Sequence, residues 1–128
     1  MMVDEAHVLL AGHNELGAEF LAQIQRRSRK YNTGTIIITQ QPTDFTAPNI
    51  ITHGKAIFDN ASYYLVMGLR KQAVEDLSKL IDLNEAEKES IKYYNQGDAL
   101  FVCGNKRMRI QIVITQEELD SFGSGGGF

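Results

Sequence analysis

Apolar positions fall in short blocks separated by polar and glycine-rich breaks, and their spacing changes from block to block. Met1-Met2-Val3 is a brief apolar strand that stops at two adjacent carboxylates, Asp4 and Glu5. His7 to Leu10 leads into a Gly12-His13-Asn14 loop. From about Glu15 to Tyr31, Leu16, Phe20, Leu21 and Ile24 recur at helical spacing, which predicts a helix with these side chains facing the sheet. Arg26, Arg27, Arg29 and Lys30 crowd its last turns, where cations suit the negative end of the helix dipole. Asn32-Thr33-Gly34 stops the helix, and Thr35-Ile36-Ile37-Ile38-Thr39 follows as a continuous β-branched run. Such a run fits a central parallel strand covered on both faces. Strand, helix, strand in this order is a crossover unit.

Gln40 to Phe45 leaves that strand as a loop, and Pro42 and Pro48 keep the region from regular helix or ladder. Residues 49 to 62 are ambiguous and compatible with a short helix. Tyr63 to Met67 reads as another buried strand, ended by Gly68. A helix from about Lys71 to Ile81 gathers Ala73, Val74, Leu77, Leu80 and Ile81 on one face. Asn84 then caps a second helix to about Asn95, with Glu85 and Glu87 in its first turn and Gly97 as its stop. Ala99 to Cys103, a Gly104-Asn105 turn, and Met108 to Ile114 with alternating apolar residues predict a β-hairpin at the sheet's edge, one face buried and one wet. Gln116 to Phe122 is a short helix or turn, and residues 123–128 are a glycine-rich tail expected to be disordered. No repeat or linker divides the chain, so residues 1–122 are expected to form one unit.

Composition narrows the function classes. With 128 residues, 43% hydrophobic and 23% charged, the chain is long enough to bury a core. Its net charge of -3 supplies no global field for nucleic acid or an acidic membrane. A single cysteine, Cys103, rules out an intrachain disulfide and is compatible with a reducing compartment. No apolar stretch is long enough to span a bilayer, and the first residues lack a signal-peptide pattern, so a cytoplasmic segment is expected. The histidines lack partners at metal-ligand spacing, which argues against zinc.

The candidate chemistry sits where strands end. An apolar strand that delivers Asp4-Glu5 to its tip is how nucleotide-hydrolysing sheets place a magnesium-holding carboxylate beside a water-activating one. In that reading Asp4 orders Mg²⁺ through its water shell and Glu5 polarises the attacking water; in the plainer reading the acids only end a strand. Gln40, at the tip of the next strand, is an amide that can donate to phosphate and accept from water at once, which suits a sensor. Arg29 is a candidate for a guanidinium inserted into a neighbouring subunit's site. Its alternatives are a solvated helix end and, with Lys106, Arg107 and Arg109 on the hairpin, a local nucleic-acid contact. No G-x-x-x-x-G-K-[ST] loop is present, and the run Gly123 to Gly127 has neither a lysine nor a following helix.

Asp4-Glu5-Ala6-His7 spells the motif of DEAH-box helicases, but those are expected to carry Ser-Ala-Thr after the following strand, where this chain has Thr39-Gln40-Gln41. Taken together, the Asp4-Glu5-Ala6-His7 strand, the Arg27-Ser28-Arg29-Lys30-Tyr31 helix end, the Ile36 to Gln40 strand, Asp44-Phe45, Ala56 to Ala61 and Gly97-Asp98-Ala99-Leu100 resemble conjugative type IV secretion ATPases. These are VirB-type motors of the FtsK/HerA branch of RecA-like P-loop proteins. The resemblance implies a truncated RecA-like α/β fold, mainly parallel and flanked by helices, with an antiparallel edge hairpin. It implies the C-terminal half of a motor that uses ATP and Mg²⁺ to drive DNA or protein transfer. Asp4 and Glu5 match its Walker B pair, Gln40 its sensor, and Arg29 the arginine that crosses the subunit boundary. Implied partners are further copies in a hexamer, secretion-channel subunits and DNA, at the cytoplasmic face of the membrane. Without a Walker A loop the chain alone is expected to be inactive and prone to self-association. The alternative is a free-standing interaction or regulatory module that keeps the fold without catalysis.

Overall fold

A computed structural model describes residues 1–122, so the expected glycine-rich tail at 123–128 lies outside the described residues. The elements in chain order are β1 (Met2–Val3), α1 (His7–Leu10), α2 (Glu15–Ser28), β2 (Ile36–Ile37), α3 (Ile51–Asp59), β3 (Tyr63–Met67), α4 (Lys71–Leu77), α5 (Glu85–Lys92), β4 (Asp98–Cys103), β5 (Lys106–Gln111) and α6 (Gln116–Phe122). Short 3-10 turns occupy Arg29–Tyr31 and Pro42–Phe45. The class is α/β. The crossover expected from the first strand is present, since β1 pairs parallel to β2 with Met2 opposite Ile36 and Val3 opposite Ile37. β3, β4 and β5 form a separate antiparallel sheet in that order, with the hairpin strand β5 at its edge. The parallel part among the described residues is therefore a single strand pair, and the antiparallel part is larger than the hairpin alone.

Each sheet has its own core. Beneath the parallel pair, Ala6, Leu10, Ala18, Leu21, Ala22, Phe45, Ile50, Ile57 and Leu80 pack together. Beneath the antiparallel sheet lie Val66, Val74, Leu77, Leu83, Ile91, Leu100 and Val102. Phe58 touches both clusters. Its ring meets Phe45 edge-on at 5.6 Å and stacks on Tyr64 at 6.2 Å, which ties the two cores through one aromatic ladder. The Tyr64 hydroxyl donates to the Phe58 carbonyl, and burial pushes its pKa up, with Asp59 adding to the rise. The ambiguous segment 49 to 62 thus contains α3, the helix that carries this bridge. Local signals place the later helices well. The Asn84 side chain accepts from the Glu87 N–H at 2.9 Å, while Glu87 accepts from the Asn84 N–H at 3.0 Å, a complete capping box.

Several faces turn out differently from the periodicity. In α2 the buried residues are Ala18, Leu21, Ala22 and Gln25, whereas Leu16 is 77% and Phe20 58% exposed. The small residues win because α2 packs closely on α3. Ile36 is 59% exposed, since the parallel pair has an open edge and an open face among the described residues. Only Val66 of β3 is buried, so this strand is covered on one face. The alternating Met108 and Ile110 share the outer face with Leu65 and Phe101, and Arg107 and Arg109 hold the inner side of β5. The apolar stripe of the hairpin therefore faces outward, the reverse of the burial that its alternation suggested.

Candidate functional site

The parallel pairing of β1 and β2 carries the chain past both strand ends in the same direction, so Asp4-Glu5 and Thr39-Gln40 leave at one edge. The ladder is not regular there. The Ile38 N–H donates to the Val3 carbonyl at 2.9 Å, and the Ile38 carbonyl accepts from Ala6 rather than from Glu5, also at 2.9 Å. An unbroken parallel ladder would skip one residue between these bonds; here Asp4 and Glu5 both fit between them, as in a β-bulge. Glu5 takes up the extra length with φ +50°, a left-handed conformation that non-glycine residues seldom adopt. Its N–H, released from the ladder, donates to Asp4 Oδ1 at 2.8 Å. Ala6 is fully buried behind the pair, while Asp4 and Glu5 are exposed. The bulge thus anchors the acids to the core by the residue that follows them.

Gln40 is also exposed, and the segment after it is fixed from several directions. The Gln41 N–H donates to Thr39 Oγ1 at 3.1 Å, and the Asp44 N–H to the Gln41 carbonyl at 3.3 Å. Pro42 and Phe45 are buried, the latter only 1% exposed. Arg29 opens the 3-10 turn after α2, but its side chain lies outside the described residues. Of the hairpin candidates Lys106, Arg107 and Arg109, the two arginines are engaged. Arg107 meets Glu87 at 2.7 Å, and Arg109 meets Asp98 at 2.9 Å while lying 5.1 Å over the Tyr94 ring. These two arginines serve as struts between β5 and its neighbours, which weakens the expected basic patch on the hairpin.

Sequence reasoning missed two features beside this edge. Asp76, on α4, is 3% exposed and accepts from the Thr43 hydroxyl at 2.9 Å and from Lys79 at 2.7 Å. The Lys79 hydrogen bond lowers its pKa most; burial acts the other way, and Thr43 and Gln72 add to the lowering. A lone carboxylate in an apolar helical stripe was the available signal. His7, which follows the acids, has a buried Nδ1 without a hydrogen-bond partner among the described residues.

The donor set can be tested against a hydrated magnesium ion. Among the described residues no group of three or more acidic, histidine or cysteine side chains could enclose a metal. One exposed carboxylate suits Mg²⁺, which keeps several waters and is shared between one or two carboxylates and substrate phosphates. The residues present therefore fit a metal that arrives with its nucleotide. The apolar groove lined by Met1, Phe20, Ile24 and Tyr31 includes none of Asp4, Glu5 or Gln40, so it does not hold phosphates at these groups.

Comparison with known proteins adds a relative of the same fold. The structure of VirB4 of Thermoanaerobacter pseudethanolicus superposes with a TM-score of 0.85 and 34% sequence identity, covering 92% of this chain and 32% of that one. Over nearly all of its length the chain is similar to about a third of that VirB4 chain. An uncharacterized protein of Bacillus anthracis, pXO2-09, is 22% identical over 132 positions, spanning 98% of this chain and 20% of that protein. The chain thus spans about a third or less of the length of these relatives. No family model matches it. Among the described residues no helix is long and apolar enough to cross a membrane.

Proposed function

We propose that this chain is the Walker B half of an ATP-hydrolysing motor that drives conjugative DNA or protein transfer through a type IV secretion channel. The observation that carries the reading is the bulged parallel edge that releases Asp4, Glu5 and Gln40 together, in a chain similar to VirB4. Mg²⁺-ATP would supply the electrophilic γ-phosphoryl group. Asp4 would hold the hydrated metal with the oxygen not used by the Glu5 N–H. Glu5 would accept the proton of the attacking water, a role for which an exposed carboxylate at a fixed strand end is suited. Gln40 would orient that water and donate to the phosphoryl oxygens. Arg29 would reach a neighbouring copy's site, which makes a hexamer of the whole motor the natural assembly.

The phosphate cradle must come from polypeptide other than residues 1–122, since no glycine-lysine loop lies among them. The chain by itself is accordingly proposed to be inactive. The whole motor is placed at the cytoplasmic face of the membrane, with channel subunits as partners and DNA as one candidate substrate. In a polypeptide extended to include a P-loop segment, Glu5→Gln is expected to keep ATP binding and to lower turnover at least about a hundredfold, as for loss of a general base. Unchanged turnover would remove Glu5 from the mechanism and favour a module that kept the fold without catalysis.

A further inference from the structure

We propose that Asp76 is a positioning residue for the Gln40 amide: its carboxylate holds the Thr43 hydroxyl and so fixes the turn that carries the chain away from β2. This rests on the reading of Gln40 as the sensor. Gln40 lies between two pinned points. On one side is Ile38, the residue that follows β2, bonded to Val3 and Ala6. On the other is the Pro42–Phe45 turn, whose Thr43 hydroxyl donates to Asp76 Oδ2 across 33 positions of sequence at 2.9 Å. Lys79 and Gln72 complete the carboxylate's shell at 2.7 and 3.4 Å.

Geometry separates this role from mere core filling. Asp76 on α4 is only 3% exposed, and a buried carboxylate is costly unless its oxygens are used. One of its oxygens goes to a residue of the turn three positions after Gln40, and the other goes to Lys79 on the surface. The backbone of the same turn is tied again, because Thr46 Oγ1 donates to the Thr43 carbonyl at 2.8 Å. A sensor must hold its amide within a fraction of an ångström of the phosphoryl oxygens to act. Releasing Thr43 removes the side-chain bond that ties the turn to α4 while leaving the Ile38 bonds to Val3 and Ala6 intact.

Thr43 is the residue to change, since removing the buried carboxylate would also unsettle α4. Thr43→Val keeps the shape and removes the hydroxyl; Thr43→Ser keeps the hydroxyl. Hydrogen exchange on the 128-residue chain is expected to speed roughly tenfold or more at residues 40–46 in Thr43→Val, the loss of a hydrogen bond to a charged group, with no change in α5. Thr43→Ser should exchange like the parent. No local change, or an equal change across the whole chain, would overturn the proposal. In the chain extended by a P-loop segment, Thr43→Val should lower kcat with KM for ATP unchanged, and Thr43→Ser should restore it. Gln40→Ala separates the two readings. If it leaves kcat intact, the sensor role fails and the positioning role with it. If it lowers kcat but Thr43→Val does not, the positioning role alone fails.

Discussion

Gly54 stands where α3 crosses the turn that follows Gln40, and an alanine there tests how rigidly the two are joined. A Cβ built on Gly54 would lie 2.3 Å from the Phe45 carbonyl oxygen and 3.2 Å from its carbon. Two effects oppose one another. Alanine in a helix interior is favoured over glycine by about 1 kcal/mol. Overpacking costs about 1–3 kcal/mol, and here the upper end applies because the obstacle is backbone rather than a flexible side chain. That backbone has little room to retreat: Phe45 is 1% exposed, its ring is against Phe58, and Thr43 is bonded to Asp76.

The net expectation for Gly54→Ala is a loss of about 2 kcal/mol, or roughly 5–10 °C in Tm for a domain of this size. Urea unfolding followed by circular dichroism measures it directly. Gly34 supplies the control, since a Cβ there meets nothing within 4 Å and its substitution should stay within about 0.5 kcal/mol. Gly54→Ala at or above the parent's stability, with an unchanged denaturant slope, would refute the close approach of α3 to the turn. A larger loss in Gly34→Ala would refute the steric reasoning itself.

Stability should fall as pH drops from about 5 towards 3, because Asp76 and Asp98 both have depressed pKa values in the fold, and a carboxylate near 3.9 when unfolded stabilises only while ionised in the native state. The causes differ: Lys79 leads for Asp76 and the Asn95 N–H for Asp98, so Asp76→Asn should flatten part of the thermal pH profile and leave the remainder, whereas an unaltered profile would exclude Asp76 from it. The outer face of the antiparallel sheet exposes Tyr63 by 64%, Leu65 by 50% and Met108 by 50%, which predicts concentration-dependent self-association of the chain. Leu65→Lys with Met108→Lys should shift it to monomer by analytical ultracentrifugation, and a parent that is monomeric at all concentrations would contradict the expectation.

Local and long-range signals fared differently in the sequence. The α5 cap was readable because Asn84 and Glu87 satisfy each other within one turn. The β4–β5 hairpin was readable from its Gly104-Asn105 turn, where Gly104 has φ +58°. The buried face was readable in α4, where Val74 and Leu77 are covered as their spacing suggests, but not in α2 or β2, because there it depends on what lies across from it. Phe20 and Ile36 carry the pattern of core residues but have no layer over them among the described residues. Ala18 and Ala22 do the opposite: small side chains that periodicity undervalues become buried because α2 and α3 approach closely. Asp76 was hidden for the same reason, since its partner Thr43 lies on a different element.

The acid pair shows how far a motif reads and where geometry has to take over. Adjacent residues of a regular strand project to opposite faces, so two consecutive acids would ordinarily be divided between the layers. At Asp4-Glu5 that alternation is interrupted: the bond from Ala6 to Ile38 accommodates one residue more than a regular ladder, and Glu5 absorbs it at φ +50°. A left-handed residue without a glycine's freedom costs on the order of 1–3 kcal/mol unless the surroundings hold it. Here they do, through the buried Ala6 behind it and the Asp4 carboxylate on its N–H. A surface turn could relieve such strain by substituting glycine at that position. In the proposed mechanism this position would present the Glu5 carboxylate for chemistry with Asp4 as its support; His13 and Asn32 share the left-handed backbone, so the argument for Glu5 rests on its place at the end of the parallel pair.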